Sequence, residues 1–227
     1  MMELEKIFES ALKEGRTTLT EYESKQVLAR YGIPVARESL CYNAAEIQKA
    51  GQEIGYPLVL KGYSPELAHK TEKDLIRLDI RNAAEADQAF NDLMARIQGP
   101  GQGVLVQEMV KGKRELLAGM TRDPQFGPCV LFGLGGIFTE VLEDVSFRVA
   151  PLDKRQALEM MDETKAKKML DAFRGMAAAD KEALVHILIQ LGQIGLDQEK
   201  IKEIDINPLI ISGSKPVAVD ALVVLNP

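Results

Sequence analysis

Within its first ninety residues the chain repeats one opening: an oxygen-bearing side chain able to cap a helix, followed three positions later by glutamate. The pairs are Thr20 and Glu23, Asn43 and Glu46, and Asn82 and Glu85. Such a pair marks a helix start, because the first side chain accepts from a backbone N–H that the first turn leaves unpaired and the glutamate can reach back. TLTEYESKQVLARYGIPV is therefore expected to be helical, with Val27, Leu28 and Tyr31 on one face, until Gly32 and Pro34 stop it. NAAEIQKAGQEIGYP repeats the pattern with Ile47, Ala50 and Ile54 on one face and Gly55 to Pro57 as the stop, and NAAEADQAFNDLMARI repeats it again. Residues 3 to 14 supply a further short helix. Between these helices, LVLKG reads as a buried strand ending near Lys61, and the alternation over Leu75 to Ile80 reads as another strand.

The second half is strand-rich: VLVQEMV, RELLAGMT, CVLFG and IFTEVL are interrupted by DPQFGP and GLGG. Helical stretches around 153 to 172 and 180 to 194 precede EIDINPLII and PVAVDALVVL, each read as a strand. Turns this short suit hairpins, whereas each crossover in a parallel sheet needs about a dozen residues or more. The expected class is α+β. GPGQG, residues 99 to 103, concentrates backbone breakers and is the expected boundary between a smaller lobe with its preceding helices (1–103) and a larger lobe (104–227), with a cleft between them.

A chain of 227 residues can bury a core without a disulfide or structural metal, and Cys41 and Cys129 lack the dense spacing of a secreted disulfide scaffold. Net charge is −6, which disfavours broad nucleic-acid affinity yet permits a local anion site. No apolar run reaches the roughly 20 residues of a membrane span, and MMELEKIFESALKEG does not resemble a secretion signal. A cytoplasmic protein with no membrane or nucleic-acid partner is expected.

Several residues carry chemistry that their spacing leaves open. Lys61, beside Gly62, suits either a phosphate contact or a salt bridge. His69 in SPELAHK is either a nucleophile toward phosphorus or a polar loop residue, whereas His186 among apolar neighbours reads as a packing or helix-surface residue. Gly133, Gly135 and Gly136 in FGLGGIFTE form a tight turn that can also aim N–H groups at an anion, though without P-loop spacing. Asn207 and Asp220, on two apolar segments joined by ISGSKP, are turn-stabilising residues or, if the strands pair, hard oxygen ligands suited to magnesium. Glu108 and Glu115, flanking VKGKR, are solvent-facing carboxylates or nucleotide contacts.

Taken together, LTEYESKQVLARYGIPV, YPLVLKG, SPELAHK, VLVQEMVKGKREL, DPQFGPCVLFGLGGIFTEVLEDVSFRVAPL, FRG and EIDINPL resemble the ATP-grasp beta component of ADP-forming acyl-CoA synthetases, especially acetate–CoA ligases, and more distantly succinyl-CoA synthetase beta subunits. The resemblance runs from about residue 18 to 225. It implies an ATP-grasp fold: two lobes with mixed or antiparallel sheets flanked by helices and a nucleotide cleft between them. It implies that Lys61 meets phosphate, that Glu108, Met109 and Val110 form a hinge whose backbone meets adenine, that Glu115 meets ribose, and that Gly135 and Gly136 shape the site. Asn207 and Asp220 fall on the family's magnesium pattern, and His69 on its phosphohistidine segment; Glu140 is a further contact, and Arg174 in FRG either touches nucleotide, orders the lobe or pairs with an acid.

The implied activity is that of an acid-thiol ligase. ATP/ADP and Mg2+ act on this chain, CoA binds a separate alpha subunit, and the assembly is alpha2beta2. One departure stands out: Asp74 and Leu75 occupy the place where relatives carry paired glycines. A regulatory nucleotide-binding subunit with weak catalysis, or a stand-alone carboxylate-amine ligase, are the alternative readings.

Overall fold

The computed structural model describes residues 2–65, 75–97, 99–136 and 144–226. Two compact units divide the chain: Ala36–Met109 is one, and Met1–Val35 with Val110–Pro227 is the other. This division differs from the expected boundary at 103/104. The helices before residue 36 belong with the larger unit, and the strand after GPGQG belongs with the smaller, because strand pairing and buried contact rather than backbone breakers decide membership.

The chain opens with helices α1 (Met2–Lys13) and α2 (Glu21–Arg30). The Thr20–Glu23 box forms as expected: the Thr20 side chain accepts from the Glu23 N–H, and the Glu23 carboxylate accepts from the Thr20 N–H at 2.8 Å. Val27 and Leu28 are fully buried.

The smaller unit runs β1 (Glu38–Cys41), α3 (Ala44–Ile54), β2 (Leu58–Tyr63), β3 (Ile76–Ile80), α4 (Ala83–Met94) and β4 (Gly103–Glu108). Its strands lie in the order β1-β4-β2-β3, every neighbour antiparallel. Asn43 and Asn82 cap α3 and α4 by accepting from the N–H groups of Glu46 and Glu85. In both cases the glutamate reaches one residue further back than in a capping box, to the N–H of Tyr42 and of Arg81. Ile47, Ala50, Ala86 and Leu93 of the helices share a core with Leu58, Leu60, Val104 and Val106 of the sheet. Full burial of each large aliphatic side chain contributes roughly 1.5–3 kcal/mol.

The larger unit continues with β5 (Glu115–Asp123), β6 (Gly127–Leu134), β7 (Val145–Val149), α5 (Lys154–Glu163), α6 (Lys167–Leu170), α7 (Lys181–Asp197), β8 (Ile201–Ser212), β9 (Lys215–Ala218) and β10 (Ala221–Leu225). Strand order is β10-β8-β5-β6-β7, with β9 paired to β8, and all pairings are antiparallel. Ile204 and Ile206 of β8, Ala118 and Met120 of β5, and Val130 and Phe132 of β6 point into one core with Leu184, Leu188 and Leu191 of α7 and Phe8 of α1. Because side chains alternate along a strand, Asp205 and Asn207 fall on the opposite face. Strand β7 has no counterpart in the sequence reading, and PVAVDALVVL, expected as one strand, is two, broken at Val219 and Asp220. IFTEVL, residues 137–142, lies outside the described residues.

Candidate functional site

The break between β9 and β10 sets Asp220 in place. The Val219 N–H donates to the Pro208 carbonyl at 3.1 Å, and Ala221 pairs with Ile206, so the residue between them, Asp220, lies opposite Asn207. Adjacent antiparallel strands thus bring together two oxygen donors that are 13 positions apart in sequence. One carboxylate oxygen of Asp220 accepts from the Ala221 N–H at 2.9 Å.

The glycine turn after β6 joins the same place. The Asn207 side-chain oxygen accepts from the Gly136 N–H at 3.3 Å, and the Gly135 N–H donates to the Glu115 carbonyl at 3.0 Å. Gly136 has φ +66°, a left-handed conformation that L side chains rarely adopt, and a Cβ there would stand 2.4 Å from a carboxylate oxygen of Glu115. A Cβ on Gly135 would meet the Leu116 backbone at 2.5 Å. Glu115, Gly135, Gly136, Asn207 and Asp220 are thereby gathered within one unit.

Sequence reasoning missed Asp205. It pairs with Gly119 and Leu222 and shares the Asn207 face. Burial, reinforced by the charges of Glu203 and Asp220, pushes its carboxyl up to about 6. The signal was available, since Asp205 stands two positions before Asn207 in an apolar-alternating strand.

In the smaller unit, Lys61 lies mid-strand in β2, only 6% exposed, paired with Leu105 of β4 and Ile76 of β3. Glu108 ends β4 opposite Leu58, three positions along, so the two side chains leave opposite faces of the sheet and do not meet. The Glu108 carboxylate accepts from the Arg37 N–H at 2.8 Å and from the Arg37 guanidinium at 2.9 Å. The N–H groups of Glu108 and Met109 donate to the Arg37 and Pro57 carbonyls. Val110 begins the return into the larger unit, so QEMV contains one of the two places where the chain passes between units.

Leu75 is buried, and a Cβ on Gly62 would lie 3.4 Å from its side chain, which makes it a core residue of the smaller unit. Arg174 and Gly175, both with positive φ, form a tight turn between Phe173 and Met176, with the Arg174 guanidinium 5.0 Å from the Phe173 ring. His186 packs beside Gly32, where an added Cβ would lie 3.4 Å from its ring nitrogen. His69, Asp74 and Glu140 lie outside the described residues.

Magnesium binds oxygen ligands and commonly takes one or two from protein, with phosphate and water completing its shell. Asn207 and Asp220 fit that requirement as a hard-oxygen pair. Among the described residues no group of three or more His, Cys, Asp or Glu side chains could hold a metal by itself.

A model of the ATP-grasp domain matches residues 10–225. The beta subunit of an ADP-forming acetate–CoA ligase I from Pyrococcus furiosus is 45% identical over 224 residues, covering 96% of each chain. Among solved structures, Korarchaeum cryptofilum ACD1 in complex with coenzyme A is similar with a TM-score of 0.92 and 40% identity, over 98% of this chain and 100% of that one. An acetyl-coenzyme A synthetase 1 from the same organism, with coenzyme A and Mg-AMPPCP and its phosphohistidine segment pointing towards the nucleotide binding site, gives a TM-score of 0.87 and 40% identity, covering 98% and 100%. The chain belongs to the ATP-grasp family. Within it, the chain falls among the beta subunits of ADP-forming acyl-CoA ligases.

Proposed function

We propose that this chain is the nucleotide-binding beta subunit of a reversible ADP-forming acyl-CoA synthetase, with acetyl-CoA as its thioester. The observation that carries the reading is the convergence of Glu115, the Gly135–Gly136 turn, Asn207 and Asp220 on paired strands of one sheet. Asn207 and Asp220 would hold Mg2+, which supplies charge neutralisation at the phosphates of ADP or ATP. Lys61 adds a cation toward phosphate. With the Glu108 and Met109 N–H groups already engaged, adenine recognition falls to the carbonyls of Glu108 to Val110 and to the Val110 N–H, while Glu115 meets ribose.

The reaction balances as follows. Phosphate displaces CoA from the acyl-CoA on a CoA-binding alpha subunit, giving an acyl phosphate. An imidazole nitrogen of His69 takes the phosphoryl group, releasing the carboxylate directly or after an alpha-side histidine, and a terminal oxygen of ADP then takes it from His69 to form ATP. The relay divides one distant transfer into local ones. Its supports are the SPELAHK motif and the phosphohistidine segment of the Korarchaeum relative.

We further infer an alpha2beta2 assembly, which native mass spectrometry of the co-purified pair would check. A cytoplasmic location agrees with the free thiols of Cys41 and Cys129, and no helix among the described residues is long and apolar enough to cross a membrane.

Calorimetry of ADP at graded Mg2+ tests the site. Asp220→Asn removes an anionic ligand and should weaken Mg-dependent binding by at least the roughly 10–100-fold typical of losing even an outer partner of a metal. Unchanged affinity and metal dependence in the folded variant would remove Asp220 from the site.

A further inference from the structure

The buried polar groups of α2 have no part in the function described so far. Glu21, Ser24 and Lys25 are 5%, 0% and 1% exposed, in a helix whose sequence suggests only an amphipathic packing element. Charged side chains are almost never so buried unless paired. Here the Lys25 ammonium meets the Glu21 carboxylate one turn away at 2.8 Å, and it also donates to the Val219 carbonyl at 3.3 Å. Val219 immediately precedes Asp220, at the break where β9 ends and β10 has yet to begin. A carbonyl at such a break lies outside the ladder, and an ammonium bonds it more strongly than a neutral donor would.

The same helix and its flanks hold both sides of that break. The Ser24 hydroxyl accepts from the Val223 N–H at 3.1 Å, the Leu19 N–H donates to the Val223 carbonyl at 2.9 Å, and the Ala218 N–H donates to the Pro34 carbonyl at 2.9 Å. These contacts anchor the strands, whereas Lys25 alone among them reaches the peptide beside Asp220. A buried ion pair is a poor device for stability, since apolar residues of similar volume often serve as well or better. It is an effective device for fixing one carbonyl.

We propose that Lys25, oriented by Glu21, is a positioning residue for the divalent cation that accompanies ADP: its ammonium fixes the Val219 carbonyl, and so the backbone from which Asp220 presents its carboxylate opposite Asn207. This inference rests on the Asn207–Asp220 metal reading above.

The test is calorimetry of ADP across a Mg2+ series, with urea denaturation in parallel, on the full chain. Lys25→Met alone takes the cation from beside the buried Glu21 carboxylate and risks the fold, so the informative variants are Glu21→Gln with Lys25→Met, which removes the donor to Val219, and Glu21→Gln with Lys25→Gln, which keeps a neutral donor. The Met double variant should unfold near the wild-type midpoint yet need roughly 10–100-fold more Mg2+ for half-maximal ADP binding. The Gln double variant should recover part of that loss. Ser24→Ala should lower the midpoint and leave the Mg2+ requirement unchanged. A folded Met double variant with the wild-type Mg2+ requirement, while Asp220→Asn does raise it, overturns the positioning role and leaves the metal site standing. If Asp220→Asn itself leaves the requirement unchanged, the metal reading fails and this inference falls with it.

Discussion

In the smaller unit, the candidate residues stand on short stretches that the family resemblance picks out one by one: Lys61 on the apolar run of β2, Glu108 and Met109 at and just past the end of β4, and His69 in SPELAHK. In the larger unit, the corresponding residues are scattered over β5, the turn after β6, β8 and the β9–β10 break, and only antiparallel register brings them together. The smaller unit therefore carries its chemistry along the chain, and the larger unit carries it across strands. A site built across strands has a property that a site along one strand lacks. Its candidate residues sit on strands with supports far away in sequence, as α2 holds Val219 and Val223 on either side of the β9–β10 break.

The largest effect should separate phosphoryl transfer from nucleotide binding. His69→Ala should reduce partner-dependent conversion of ADP to ATP by roughly three orders of magnitude or more, as loss of a covalent nucleophile does, while Mg-ADP binding persists. Transfer assays with the alpha subunit, alongside calorimetry, would check it, with His186→Ala as the control that keeps activity. Equal loss of binding and transfer would break the assignment of transfer to His69 and of nucleotide-metal binding to other residues.

Next comes a change in packing. Leu75→Gly, which introduces a residue expected from the family pattern, should destabilise the smaller unit by about 2–5 kcal/mol, because Leu75 fills the core beside Gly62. Urea denaturation measures it. A variant of unaltered stability with faster phosphoryl transfer would tie Leu75 to transfer rather than to the core.

The third prediction concerns the buried carboxyl of the larger unit. Folding raises the Asp205 pKa to about 6, so the folded state favours its protonated form. That contribution is fully present below the unfolded value near 4 and is lost as pH rises through about 6. In metal-free buffer, Asp205→Asn should be the more stable protein at pH 8, by up to about 3 kcal/mol, and the advantage should shrink to nothing below pH 4. Melting curves across pH decide it; a gain that is constant with pH would mean that Asp205 is ionised at no cost in the fold.

The smallest effect sharpens the account of the turn. Gly136→Ala forces a side chain into the left-handed region and against Glu115, a cost of about 1–2 kcal/mol. Reduced stability together with weaker ADP binding is expected, by denaturation and calorimetry. Gly127→Ala, also at positive φ but with open space around its Cβ, should lower stability without touching binding.

The sequence by itself determined the helix starts, since a cap depends on residues three positions apart: Thr20, Asn43 and Asn82 each accept where their spacing to glutamate said they would. It also determined the family, because seven short stretches in fixed order are legible without coordinates. Tertiary structure alone decided which unit α1, α2 and β4 join, as that depends on partners far outside each segment, on β1 and β2 for β4 and on the C-terminal strands for α2. It decided that PVAVDALVVL breaks at Asp220, that Asn207 stands opposite, and that Asp205 shares its face, because register is a property of two strands and neither strand contains it. It decided that Lys25 is buried: nothing in EYESKQVLAR distinguishes that lysine from a solvated one until the Val219 carbonyl, 194 residues later, is laid against it.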